Sequence, residues 1–124
     1  MKVRLRPLIG IVLVLSSFTA FSMNLIDAFY DAIADELVFK IAYRGTHPDH
    51  KFMVSWEACR TMNDGRREIL GIIQDSDPKD TAMREFEKTE RISLKSFACR
   101  PAIVAVGLAS PLYRRTITIP ARAE

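Results

Sequence analysis

Residues 36–58 read Glu36-Leu37-Val38-Phe39-Lys40-Ile41-Ala42-Tyr43-Arg44-Gly45-Thr46-His47-Pro48-Asp49-His50-Lys51-Phe52-Met53-Val54-Ser55-Trp56-Glu57-Ala58. Leu37, Phe39, Ile41 and Tyr43 alternate with Val38, Lys40, Ala42 and Arg44. Phe52, Val54, Trp56 and Ala58 alternate with Met53, Ser55 and Glu57. A period of two puts each set on one face of a β-strand. Between the runs, Pro48 suits the second position of a turn and Asp49 the third. The two runs read as a β-hairpin, with Trp56 on the core face beside Phe52 and Val54.

The pattern continues downstream. Asn63-Asp64-Gly65 is a turn signal, residues 68–74 are an apolar run that reads as a buried strand, and Asp75-Ser76-Asp77-Pro78 breaks it. Residues 79–91 fit two readings. Asp80 can cap a helix with Ala82, Met83 and Phe86 facing inward, or residues 84–89 can form an exposed strand. The pattern favours a short helix or irregular crossing, followed by a strand over 91–97. Ile103, Val104, Val106 and Leu108 mark the next strand. Tyr113, Arg115, Ile117 and Ile119 alternate in the last, which Pro120 ends.

Upstream, Ile26, Phe29, Tyr30, Ile33 and Leu37 recur at spacings of three and four, while Asp27, Asp31 and Asp35 fall elsewhere. With Asn24 as cap, residues 25–37 read as an amphipathic helix. The expected fold is mainly β: a small sandwich of about six strands, preceded by one amphipathic N-terminal helix. Its layout resembles an immunoglobulin-like domain in a general way. It departs from the antibody pattern, where the core tryptophan follows the first cysteine; here Trp56 precedes Cys59. Three positions apart, Trp56 and Cys59 face opposite sides of a flat strand.

Residues 1–22 have the layout of a secretory signal: Lys2, Arg4 and Arg6, then an apolar run from Pro7 to Phe21, with Ala20 and Ser22 as the small residues a signal peptidase reads. Cleavage after Ser22 leaves residues 23–124 as one domain in the periplasm or outside the cell. The alternative is an uncleaved anchor, the only route by which this reading brings the chain to a membrane. The whole sequence has 18 basic and 15 acidic side chains. Taking away Lys2, Arg4 and Arg6 leaves 15 against 15, which removes the basic surface that nucleic-acid binding requires. Cys59 and Cys99 are the only cysteines. In an oxidising compartment they are expected to form one disulfide between strand ends, closing a loop worth about 4 kcal/mol in chain entropy.

The one concentration of ligand-type side chains is His47-Pro48-Asp49-His50, both histidines of the chain with a carboxylate between them. Imidazole nitrogens at a turn suit zinc or copper, with Asp49 as a third ligand. The plainer reading is a polar turn that needs no cofactor. No Gly-x-Ser-x-Gly or comparable nucleophile motif is present, and Glu85, Glu87 and Glu90 interleave with Arg84, Lys88 and Arg91 as a solvated charge face. Arg100, Arg114, Arg115 and Arg122 are candidates for a basic patch. The sequence therefore leads to the expectation of an exported, non-enzymatic domain that binds a protein or envelope component. The alternatives are a periplasmic metal-binding protein using His47 and His50, and a signal-anchored subunit of a membrane complex.

Overall fold

The computed structural model describes residues 23–80 and 82–122. The protein is mainly β, with two sheets and one disulfide. In chain order the strands are β1 (Met23–Asp31), β2 (Glu36–Gly45), β3 (Phe52–Trp56), β4 (Arg60–Thr61), β5 (Arg67–Asp75), β6 (Arg84–Ser93), β7 (Ala102–Gly107) and β8 (Arg114–Ile119). One sheet has the order β1-β2-β6; the other runs β3-β5-β7-β8, with β4 also paired to β5. All pairs are antiparallel except β5 and β7, which run parallel from Glu68↔Ile103 to Ile72↔Gly107.

Residues 36–45 and 52–56 are strands, as their alternation requires, but they do not form a hairpin. β2 lies between β1 and β6, so both its edges are already paired. β3 joins β5 in the other sheet. Residues 46–51 therefore cross from sheet to sheet. Leu37, Phe39, Ile41 and Tyr43 on one side, and Phe52, Ile69, Ile73, Val104, Val106, Ile117 and Ile119 on the other, form one buried cluster. Complete burial of a side chain such as Leu37, Phe39 or Ile41 stabilises by roughly 1.5–3 kcal/mol. Trp56 is half-buried against this cluster, with its ring centroid 4.7 Å from that of Phe97.

The expected N-terminal helix over 25–37 is instead β1 and a tight turn. The actual hairpin is β1–β2, one strand earlier than the sequence suggests. The register shifts between Leu25 and Asp27. One extra residue there makes the inward positions Leu25, Ala28 and Tyr30; of the stripe that reads as a helical face, Tyr30 and Leu37 point inward while Ile26 and Phe29 are exposed. Asp31 Oδ1 accepts from the Ile33 and Ala34 amides, and Asp35 takes a left-handed φ of 55°, which turns the chain back into β2. Ile33, assigned to the buried helix face, is fully exposed at the turn tip.

Residues 84–93 form a strand rather than the favoured helix or irregular crossing. Phe86, Lys88, Glu90 and Ile92 are its half-buried positions, and the residues between them are exposed. Two charged side chains on the inner side of an edge strand hide its alternation from a hydropathy reading. They also discourage pairing with another chain. Cys59 and Cys99 form the disulfide, with Cα atoms 5.8 Å apart, between the β3–β4 segment and the loop before β7. The signal reading, with Ala20 and Ser22, lies outside the described residues. Among those residues, no helix is long and apolar enough to cross a membrane.

Candidate metal site

Among the described residues, two of the three crossings between the sheets, residues 46–51 after β2 and the segment from Asp75, at the end of β5, to Asp80, meet at one end of the protein. Lys51 N–H donates to Ser76 Oγ at 2.9 Å, and Ser76 N–H donates to the Lys51 carbonyl at 2.8 Å. The Lys88 ammonium donates to the His50 carbonyl at 2.8 Å, and Glu90 accepts the Phe52 amide at 2.7 Å. These bonds fix the backbone around His50 from both sheets.

His50 has no exposed surface. Its ring lies 4.6 Å from that of Tyr43, with Phe52 beyond. Nδ1 is 2.9 Å from both carboxylate oxygens of Asp75, and Nε2 is 2.8 Å from Asp80 Oδ2. Burial pulls the imidazolium pKa down, but the two carboxylates, Asp80 and Asp75, outweigh it and leave the net shift upward. Asp80 is lowered to about 2, first by His50 and then by the Thr46 amide. Thr46 gives Asp80 Oδ2 two bonds, from its amide at 2.8 Å and its hydroxyl at 3.0 Å. With a proton on each nitrogen, His50 is a buried cation clamped between two carboxylates.

His47 lies beside this group. Its Nε2 is 3.5 Å from Asp77 Oδ2 and 3.7 Å from Asp80 Oδ2. Its Nδ1 accepts the Asp49 amide at 3.1 Å. One ligand-type atom from each of His47, His50, Asp77 and Asp80 falls within 4.8 Å of the others. Asp75 lies behind His50 and holds Nδ1. In metal centres a carboxylate in that position fixes the tautomer and aims Nε2 at the ion. Gly45 is needed for this approach: a Cβ there would sit 2.7 Å from His50 Nε2 and 2.8 Å from Asp80 Oδ2.

The histidine pair expected from sequence is thus brought together, but its carboxylate is not Asp49. Asp49 is exposed at the turn and contributes its backbone amide to His47. The carboxylates come instead from Asp77 and Asp80, with Asp75 behind them. Asp75 and Asp77 lie in the segment Asp75-Ser76-Asp77-Pro78, which the sequence marked as a strand breaker, and Asp80 follows at the position read as a possible helix cap. Three aspartates within six residues after a buried strand were the available signal.

The candidate basic patch is not assembled. Arg100 is buried in a two-bond ion pair with Asp35, at 3.0 and 3.1 Å, and donates to the Leu94 and Pro120 carbonyls. Arg115 donates to the Ile26 carbonyl and Arg122 to the Phe97 carbonyl. Fold and site together define a two-sheet β protein with a buried histidine–aspartate cluster where its sheets are joined. No family model matches the chain, and neither the curated proteins nor the solved structures contain a significant match to it.

Proposed function

We propose that this is an exported, non-enzymatic β-sandwich domain, immunoglobulin-like in general layout, that binds a divalent transition-metal ion of the zinc or copper(II) class at His47, His50, Asp77 and Asp80. The observation that carries the reading is the convergence of four nitrogen and oxygen ligand atoms, with Asp75 behind His50. Two imidazoles and two carboxylates suit these borderline ions, and the absence of sulfur in the set disfavours copper(I).

His50 enters this site by giving up its Nε2 proton while Nδ1–H stays on Asp75. His47 requires a rearrangement, because its Nδ1 lone pair already holds the Asp49 amide. Ligation through Nε2 moves the proton to Nδ1 and releases that amide. The ion would then tie the two inter-sheet crossings together in place of a proton.

Calorimetry with zinc and with copper(II) on the disulfide-intact protein tests the reading. The expected result is one saturable site, lost in His47→Ala/His50→Ala. Asp77→Asn, at a half-exposed position where folding is spared, should weaken binding at least tenfold. Binding to the wild type no tighter than to these variants rejects the metal reading.

A further inference from the structure

The outer face of the β3–β8 sheet carries a second feature, independent of the metal site. A parallel strand pair is ordinarily covered on both faces, and its strands read as continuous apolar runs. β5 and β7 read that way. Ile69, Ile73, Val104 and Val106 fill the core, while Leu70, Ile72, Ile103 and Ala105 alternate with them on the opposite face and are only half-buried. Among the described residues, no helix or sheet covers that face. It holds two adjoining hollows of about 580 and 550 Å3 that share Ile103. Leu70, Ile103 and Ala105 contribute to the floor of the larger one, with Arg60, Glu68 and Arg114 at its sides.

The charges around these hollows indicate what is missing. Arg60 faces Glu68 at 4.0 Å, Arg66 is paired with Asp64 at 2.7 Å, and Arg67 donates to the Arg100 carbonyl. Arg114 has no carboxylate among the described residues. Its Nε is buried without a hydrogen-bond partner, and its Nη2 makes one long contact, 3.4 Å, to the Ala109 carbonyl. The guanidinium is thus left with one long bond and no counter-charge, and a carboxylate is the group that pairs with a guanidinium best.

We infer that this trough docks an extended apolar segment of a partner protein that bears a carboxylate opposite Arg114. Two hollows side by side suit a chain lying along the sheet better than a compact ligand. The apolar floor supplies affinity, and Arg114 fixes the position of the acid along the trough.

The test is a 15N chemical-shift titration of the disulfide-intact protein with the C-terminally amidated peptide acetyl-Thr-Val-Leu-Val-Asp-NH2, its Asp→Asn analogue, and octanoate. The expected result is saturable shifts centred on Leu70, Ile103 and Ala105, with the Asp→Asn peptide binding at least tenfold more weakly. Arg114→Gln should weaken the acidic peptide by the same factor and remove the difference between the two peptides. Equal affinity of the acidic and amide peptides for the wild type overturns the inference. So do shifts confined to other surfaces, no shift at millimolar peptide, or octanoate binding where the acidic peptide does not. Because the peptide comparison is made on the unaltered protein, it stands even if the Arg114 variant folds poorly.

Discussion

The two ends of this protein are fastened by different chemistry. At one end, the loop between β6 and β7 is held by the Cys59–Cys99 disulfide and by Arg100, whose guanidinium joins Asp35, Leu94 and Pro120. At the other, the two crossings 46–51 and 75–80 are held by one histidine between two aspartates. Arg100 is raised further above its already high pKa by Asp35, and Asp35 is lowered by Arg100. That pair stays charged from mild acid upward. The histidine end depends on the His50 proton, which the two carboxylates hold above its ordinary value against the opposing effect of burial. One end is therefore sensitive to reductant, and the other to pH and to metal ions.

The largest expected effect strikes the first end. Reducing the disulfide, or replacing both cysteines with serine, should cost about 4 kcal/mol, the loop-closure value for a separation of 40 residues. Urea unfolding with and without reductant measures it. A loss below about 1 kcal/mol would show that Arg100 holds that end without the bridge.

His50→Ala should cost about 3 kcal/mol, because it leaves Asp75 and Asp80 with no cation between them. The same residue sets a pH dependence on the neutral side that the Arg100–Asp35 pair, lowered at Asp35 and so sensitive only in acid, does not share. His50 is raised above 6.5, so its contribution is complete below that value and disappears as pH rises through the folded-state pKa. Asp80 is lowered to about 2, so its contribution is complete above its ordinary value of 3.8 and disappears as pH falls toward 2. In metal-free protein, the stability difference between wild type and His50→Ala should be largest between pH 4 and 6.5 and shrink on the alkaline side. A difference that grows with pH above 7 would mean that His50 is held neutral, against the carboxylate geometry.

The smallest expected effect sharpens the choice of ligands. Asp49→Ala should change stability by no more than about 0.5 kcal/mol and leave metal affinity unchanged, since Asp49 acts through its backbone. Loss of metal binding in that variant would restore Asp49 as a ligand in place of Asp77.

Much of the β architecture was legible in the sequence. The alternation of β2, β3 and β8, the apolar run of β5, and the turn at Asn63-Asp64-Gly65 are local signals, and they survive folding because side-chain period is a property of the strand itself. β1 was misread because Ile26 and Phe29, apolar but exposed, fall at helical spacing with Tyr30, Ile33 and Leu37. β6 was misread because its inward positions include Lys88 and Glu90, whose partners, the His50 carbonyl and the Phe52 amide, lie in the 46–51 crossing and at the start of β3. Of the candidate site, the histidines were legible because they are close in sequence. Asp77 and Asp80 were not, because only the meeting of two crossings brings them to His47 and His50.

The sequence by itself thus determined a β-rich chain and the positions of its cysteines and histidines, since composition, period and spacing are written locally. Tertiary structure alone decided that residues 46–51 cross between sheets instead of turning back. With both edges of β2 already paired, β3 had to find its partner in the other sheet. That crossing takes His50 from an apparent surface turn to a fully buried position between Asp75 and Asp80.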